Sequence, residues 1–517
     1  MIRFSAAEIF QKGMVFQREK PIVVFGRAER GDRVRVSLYD RHGGLLDERN
    51  CSAEKDDTYT VSLASMPAYR DAKLVIVNES SQQTIVINPV HIGEVWIACG
   101  QSNMEFFNKY DKDWERTKKL TANPDIHFYN VPQRAFAGHE THNGPGRDGY
   151  GKWLKDKEKG YENFSAPGYS FARAIQAKLK VPVGIIGCNW GGTTASAWVP
   201  ESVLSAQPLH RYIEEYDAAV ASMDPETLKK QSLEAWAAID DPAGYKRFEP
   251  FLYGQDRKAQ LKFVTDTKDD LVVPMGPYNE NRPSGLYETM LSTIIPYSIR
   301  GALWYQGESD SGDRADMYGE LLSGLIKSWR KEWNDDFPFL LVQLAPFKEW
   351  LACTNDDYRV VREKQQQVAD AMEGVYMTSI MDIGNYYDIH PKEKMEVGKR
   401  LAGLALSHVY KSLQPEETDN PRIDKAYISG HQIILTFNNA QSLTKQSDDN
   451  TIFALHNKKK VVPDSVAISE NKVVLEFNTD LDKSDDLRIA MGWEDYGALY
   501  IKNEHGLPIA PFCVEVV

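Results

Sequence analysis

Hydrophobic and polar positions alternate along the first part of the chain. Val34, Val36 and Leu38 are separated by polar residues, and the turn-forming pair Gly43 and Gly44 follows them. Successive side chains of a strand point to opposite faces, so this period of two predicts half-buried strands. We therefore predict a β-sandwich-like domain over residues 1–92.

A different pattern begins at residue 93, where continuous apolar runs alternate with amphipathic segments. Runs at 95–99, 183–186 and 302–304 are typical of strands buried on both faces, whereas the spacing at 318–329 is typical of a helix. This alternation predicts an α/β domain over residues 93–415, with a parallel sheet flanked by helices. The polar stretch at about 200–283 predicts an insertion into it. The period of two returns later and predicts a C-terminal β domain over residues 416–517.

Composition narrows the classes of function. The chain has 517 residues with 61 Lys and Arg against 74 Asp and Glu, a net charge of −13, which argues against a nucleic-acid partner. No apolar run approaches the roughly 20 residues of a membrane-spanning helix, and the start, MIRFSAAEIF, lacks the pattern of a signal peptide. As written, the sequence predicts a cytoplasmic protein without a membrane partner. If a signal peptide had been removed, the prediction would be a secreted or periplasmic protein.

Three loops that follow predicted strands carry candidate catalytic groups. Ser102 comes directly after the first run, Gly191 and Gly192 follow the second, and Gln306 follows the third. Loops at the carboxyl ends of parallel strands converge, and backbone or amide N–H groups there can stabilise an oxyanion. Two of these loops also fit an ordinary role, Ser102 as a helix cap and the two glycines as a flexible turn.

A nucleophilic serine needs a base, and His390 is the best placed of the eleven histidines. It follows a predicted strand, and Pro391 after it suits the first position of a helix. Its neighbourhood contains carboxylates that could orient the imidazole. Helix capping is the competing interpretation of this segment. The five scattered cysteines and the histidine spacings predict neither a metal site nor a cofactor.

These residues lie in four segments, GEVWIACGQSNMEF at 93–106, CNWGGTTASAW at 188–198, ALWYQGESD at 302–310 and DIHPKEKMEVGKRLA at 388–402. There the sequence resembles the SGNH (GDSL-like) hydrolases, and within them the sialate O-acetylesterase and acetylxylan esterase group. The resemblance implies a three-layer, flavodoxin-like α/β fold. It also implies a serine esterase that removes O-acetyl groups from acetylated mono- or oligosaccharides through an acetyl-serine intermediate, with no cofactor.

The resemblance implies roles for particular residues. Ser102 is expected to be the nucleophile and His390 the base, with oxyanion donors from Gly191, Gly192 and Gln306. Many SGNH hydrolases place Asp three residues before the histidine, where this chain has a tyrosine.

The identity of the carboxylate that orients His390 therefore stays open. We predict Asp388 as the residue that orients His390, Asp382 as its substitute, and a backbone carbonyl as a further alternative. The usual G-x-N-D segment is replaced by GESD, which leaves open the group that completes the oxyanion hole.

Two other functions fit parts of the sequence. A lipase or thioesterase of the same superfamily would need a long apolar channel, and a noncatalytic carbohydrate-binding protein would keep only the β domains and aromatics. Arg282 or Arg70 is the predicted cation for the carboxylate of a sialate substrate. Several aromatic residues near the motifs are candidate sugar platforms, with packing inside the loops as the alternative: Tyr110, Trp114, Tyr150, Trp153, Tyr161, Phe164, Tyr253 and Tyr278.

Overall fold

The computed structural model describes residues 3–139, 149–241, 253, 258, 261–262, 272–350, 353–354, 356–478 and 486–517. In this part of the chain a central sheet carries helices, and further sheets come before and after it. The predicted insertion lies partly outside the described residues. Its described part forms the helices Glu201–Leu204, Arg211–Ala221 and Pro225–Asp240.

The central sheet is built from the continuous apolar runs of the sequence. Parallel pairing joins its strands, and one short antiparallel strand, Trp153–Lys155, lies at its edge. The spatial order from that edge is Ile126–Asn130, Val183–Asn189, Gln83–Gly100, Gly301–Tyr305, Phe339–Val342 and Val375–Thr378. Side chains on both faces are buried, which explains why these strands lack polar alternation.

Helices cover both faces of this sheet. Trp96 pairs in register with Gly301, so Trp304, three residues further along its strand, points to the opposite face. Trp96 contacts Phe171 of the helix Ala166–Leu179, and Trp304 contacts Trp329 of the helix Tyr318–Trp333. Two further helices of the α/β part are Tyr358–Ala371 and Lys394–Leu404. The predicted α/β sheet with flanking helices is confirmed.

The N-terminal strands continue directly into the central sheet. The strand Gln83–Gly100 pairs antiparallel with Tyr69–Asn78 in its first part and parallel with central strands in its second part. The predicted boundary at residue 92 therefore falls inside one continuous strand. The remaining N-terminal strands are Ser5–Ala6, Val15–Gln17, Ile22–Arg27, Arg33–Tyr39, Leu45–Ser52 and Thr58–Leu63.

The C-terminal region forms separate antiparallel sheets. One contains Arg422–Ser429, Gln432–Asn438, Lys472–Glu476 and Ser465–Ser469, and another contains Lys459–Val461, Ile452–His456, Arg488–Met491 and Phe512–Glu515. A third pairs Leu443–Lys445 with Ile501–Asn503. Met381, which follows the last central strand, is buried in the apolar core of this region and so anchors it to the α/β part.

The loops that carry the candidate residues meet at one edge of the central sheet. Gln83–Gly100 lies between Val183–Asn189 and Gly301–Tyr305, so the loops after these three strands are neighbours. This is the carboxyl edge at which parallel sheets commonly bind ligands. Among the described helices, none combines the length and apolar character needed to cross a membrane.

Candidate active site

A sharp turn presents Ser102 at the sheet edge. Gly100 ends its strand with φ of 136°, and a Cβ at that position would lie 2.1 Å from the Tyr305 carbonyl oxygen, so only glycine fits. Ser102 begins the short helix Ser102–Glu105, and Gln101, not Ser102, is the N-cap. The Ser102 side chain is therefore not used as a helix cap.

His390 approaches Ser102 from a loop 288 residues away in sequence. Its Nε2 lies 2.8 Å from the Ser102 Oγ, and both residues are almost fully buried. The indole ring of Trp350 packs edge-on against the imidazole. Burial, assisted by the nearby charges of Lys392 and Lys394, holds the pKa of His390 well below its usual value. The imidazole is therefore neutral near pH 7 and able to accept the hydroxyl proton.

The two candidate carboxylates occupy different environments. Asp388 Oδ1 accepts the backbone N–H of His390 at 2.9 Å but lies 3.9 Å from its Nδ1, too far for a hydrogen bond. Within the described residues, Nδ1 has no hydrogen-bond partner. The carboxylate of Asp382 instead binds Arg400 through both oxygens and also contacts Lys502. Asp388 is therefore near the His390 imidazole, whereas Asp382 forms a buried ion-pair cluster.

The loop that carries Gly191 and Gly192, here called the glycine loop, lies against Ser102. A Cβ on Gly191 would be 3.2 Å from the Ser102 Cβ. The Gly191 N–H, however, already donates to Glu105 Oε2 at 2.7 Å, and Glu105 also accepts from Gln133 at 3.0 Å. Glu105 therefore fixes the loop and occupies one predicted oxyanion donor. The N–H of Gly192 has no acceptor among the described residues.

Gln306 lies behind this loop in a buried position. Its amide nitrogen donates to the Thr193 carbonyl at 3.1 Å and to Asp310 Oδ2 at 2.6 Å, so both amide hydrogens are used. Its amide oxygen accepts from the Tyr318 hydroxyl at 3.0 Å. In this arrangement Gln306 braces the glycine loop and has no hydrogen left for a reacting oxygen.

The sequence interpretation missed a buried polar cluster beside the Ser–His pair. Asn103 contacts both Glu308 and Lys394, and all three side chains are buried. A signal for Lys394 was present, because it shares the spacing of the buried Val397 and Leu401 along one helix face. Asn103 and Glu308 lie within the motifs, but local sequence gives no sign that they meet.

The predicted sugar platforms are mostly part of the core. Tyr150, Trp153, Tyr161, Phe164 and Tyr253 are buried, which favours the packing alternative for them. The buried Tyr253 stacks on Tyr110, 5.1 Å between ring centroids.

The two arginines predicted to bind a sialate carboxylate lie in different places. Arg70 binds Asp125, which directly precedes the strand Ile126–Asn130, so it lies at the amino edge of the sheet, away from Ser102. Arg282 follows Asn281, whose side chain contacts the glycine loop, and its guanidinium binds Glu288. Only Arg282 is near the candidate site.

A buried serine hydroxyl in contact with a neutral imidazole, at the carboxyl edge of a parallel sheet, is the arrangement of nucleophilic hydrolases. Comparisons with known proteins show an esterase family. A family model described as carbohydrate esterase, sialic acid-specific acetylesterase, matches residues 92–233 and 277–407, more than half of the chain. The chain belongs to this family of carbohydrate esterases.

Similarity to carbohydrate acetylesterases extends over nearly the whole length of this chain. A sialate O-acetylesterase of Rattus norvegicus is 23% identical, with 100% of this chain and 95% of that protein covered. One of Homo sapiens is 23% identical over 88% of this chain and 80% of that protein. The crystal structure of a carbohydrate acetylesterase from Xanthomonas citri matches with a TM-score of 0.73 and 22% identity over 99% of both chains. The chain is thus a carboxylic ester hydrolase acting on acetylated sugars, and the predicted esterase function is confirmed over the lipase and binding-protein alternatives.

Proposed function

We propose that Ser102 is the nucleophile and His390 the general base of this esterase. The observation that carries this proposal is the 2.8 Å contact between Oγ and Nε2 inside a buried site. His390 takes the Ser102 proton as Oγ attacks the acetyl carbonyl carbon, and then gives that proton to the departing sugar oxygen. Water, deprotonated by the same imidazole, cleaves the acetyl-serine and releases acetate.

The oxyanion donors are assigned to N–H groups near Ser102 that have no acceptor among the described residues. Since Gly191 and Gln306 already donate elsewhere, we assign the role to the Gly192 N–H and to the N–H of Ser102 itself. The first N–H groups of a helix have no partner within the helix, which leaves that of Ser102 available. A donor aimed at the developing charge typically contributes about 3 kcal/mol to transition-state stabilisation.

A cavity of about 550 Å³ beside the glycine loop suits the sugar. Its wall includes Gly192, and Ser309, whose N–H binds the side chain of Gln101 next to the nucleophile. Asn281 adds an amide to the same wall. The charged residues of the wall, Glu215 and Arg314, bind each other, so the cavity offers hydrogen bonds without an uncompensated charge. This lining suits the hydroxyls of a mono- or oligosaccharide better than a long acyl chain.

The identity of the acetylated sugar depends on Arg282. A sialate carries a carboxylate, and Arg282 is a cation in the segment that contacts the glycine loop, with the half-exposed Glu288 as its partner. We propose a sialate-type substrate whose carboxylate competes with Glu288 for this guanidinium. A neutral acetylated glycan such as acetylated xylan is the second candidate, because the cavity itself carries paired charges.

At the level of fold we propose the SGNH three-layer architecture for residues 93–415. Residues 1–92 and 416–517 are proposed as N-terminal and C-terminal β domains, the first of which shares the continuous strand Gln83–Gly100 with the central sheet. The central strand order and the Ser–His pair at the carboxyl edge support this assignment.

Acetate release tests the chemistry and the substrate together. The wild type, Ser102→Ala and His390→Ala are compared on acetylated sialic acid, its carboxylate methyl ester and acetylated xylo-oligosaccharides. We expect each substitution to lower kcat at least about 1000-fold, and rapid quenching to trap an acetyl group on Ser102 only in the wild type. A Ser102→Ala variant with normal kcat would refute the nucleophile.

The Arg282→Ala variant tests whether Arg282 binds the carboxylate of the substrate. Arg70→Ala, at the amino edge of the central sheet, is the matched control. We expect Arg282→Ala to raise KM for acetylated sialic acid about tenfold or more and to leave KM for its methyl ester unchanged. Equal KM values for the acid and the ester in the wild type would favour the neutral glycan.

A further inference from the structure

The amide of Asn103 joins the loops of the nucleophile and the base. Its nitrogen donates to the Ile389 carbonyl at 3.0 Å and to Glu308 Oε1 at 2.5 Å. Its oxygen accepts from Lys394 Nζ at 2.5 Å. Both amide hydrogens are therefore used, one toward the peptide before the base and one toward a buried carboxylate.

The charges around this amide are costly to bury. Lys394 is fully buried, with its ammonium over the rings of Phe106 and Tyr305, 5.1 Å from each ring centroid. It reaches Glu308 through the Asn103 amide. Replacing buried ions by well-packed apolar residues of similar volume often leaves the stability of a protein unchanged or raises it. A contribution to stability therefore does not account for this arrangement. Buried charges of this kind are typical of functional sites.

We propose that Asn103 is a positioning residue that holds Ser102 and His390 at reacting distance, with Lys394 and Glu308 fixing its amide. This inference rests on the proposed function of Ser102 and His390. Asn103 directly follows the nucleophile, and Ile389 directly precedes the base, so one hydrogen bond sets the spacing of the two loops. This hydrogen bond fixes the backbone that precedes a histidine whose Nδ1 has no hydrogen-bond partner among the described residues.

Lys394 also acts on His390 through its charge. The positive charges of Lys394 and Lys392 lower the pKa of His390 in addition to burial, and Asp388 lies 3.9 Å from its Nδ1. Burial lowers the pKa of Lys394 itself to about 7. The charged groups that face Lys394 are Glu308, Lys392, Asp388 and Asp111. Removing its charge should therefore raise the pKa of His390 and move the acid limb of kcat/KM to higher pH.

The first test replaces Asn103 and uses Asn108 as a matched control. Asn108 is buried in the same segment, and its amide donates to the Tyr161 carbonyl at 2.9 Å, a contact outside the Ser–His pair. We expect Asn103→Ala to lower kcat about 100-fold with KM changed less than about threefold, and Asn108→Ala to keep kcat within about threefold. Thermal unfolding of both variants shows whether they are folded. A folded Asn103→Ala enzyme with kcat near that of the wild type would overturn the proposal.

The second test uses Lys394→Met, which is expected to fold because it replaces a buried ion with an apolar side chain of similar length. The pH profile of kcat/KM is the readout that a purely structural role would not move. We expect its acid limb to rise by about one pH unit relative to the wild type. An unchanged limb would overturn the electrostatic part. If Ser102→Ala were also fully active, the proposed function would fail, whereas its inactivity with a normal Asn103→Ala would refute this inference alone.

Discussion

Replacing Asp388 by Asn isolates the electrostatic contribution of the residue nearest to His390 Nδ1. The substitution keeps an oxygen that can accept the His390 backbone N–H, now bound at 2.9 Å, so the loop should keep its conformation. It removes the negative charge 3.9 Å from Nδ1. The experiment therefore separates the effect of charge from that of a direct hydrogen bond.

The distance sets the size of the effect. Two unit charges 3.9 Å apart interact by about 4 kcal/mol at an effective dielectric constant of about 20. The ammonium of Lys392, 3.0 Å from the other Asp388 oxygen, offsets part of this attraction. We therefore expect a loss of about 1.5–3 kcal/mol when His390 becomes an imidazolium in the transition state. That loss corresponds to a kcat about 10- to 150-fold lower.

Steady-state acetate release measures kcat for wild type, Asp388→Asn and Ser102→Ala, with Asp382→Asn as the control. Asp382 binds Arg400 and Lys502, so its replacement should lower the free energy of unfolding and leave kcat of the folded enzyme unchanged. A loss of about 10⁴-fold in Asp388→Asn would show that the carboxylate bonds directly to Nδ1 during catalysis. A loss below about threefold would refute the electrostatic reasoning.

Three further predictions concern the same site. The pKa of His390 is held well below its usual value by burial first, so kcat/KM should stay near its plateau at pH 6; a midpoint at pH 6.5 or above would contradict this. Gly100→Ala should lower the free energy of unfolding in urea by at least about 2 kcal/mol, because its Cβ would collide with the Tyr305 carbonyl; a loss below about 0.5 kcal/mol would be inconsistent. Glu105→Gln replaces the carboxylate that accepts the Gly191 N–H by a neutral amide, which should lower kcat about tenfold. An unchanged kcat would show that the glycine loop keeps its position without the carboxylate.

The candidate site was predictable where reactive side chains directly follow the ends of strands. Ser102 and His390 were predicted from their positions after apolar runs, and their side chains are in contact although they are 288 positions apart in the sequence. The reason is topological, since parallel strands bring their carboxyl ends to one edge of a sheet. The same argument brought Gly191, Gly192 and Gln306 close to that edge, but it could not say which of their N–H groups are free.

Hydrogen-bond partners could not be predicted, because they come from distant parts of the chain. The acceptor for Gly191 is Glu105, 86 residues earlier, and the acceptors for Gln306 include Thr193, 113 residues earlier. A backbone N–H has one hydrogen and a side-chain amide has two, so one or two long-range partners leave none for the reaction.

By itself the sequence determined the alternation of strands and helices, the α/β class and the loops that carry Ser102 and His390. These follow from the period of apolar positions, which is a local property of the chain. Only the tertiary structure decided the 3.9 Å separation of Asp388 from the imidazole and the contact between the Lys394 ammonium and the Asn103 amide. Distances, hydrogen-bond partners and pKa values depend on atoms that folding brings together from remote segments, and no local pattern encodes them.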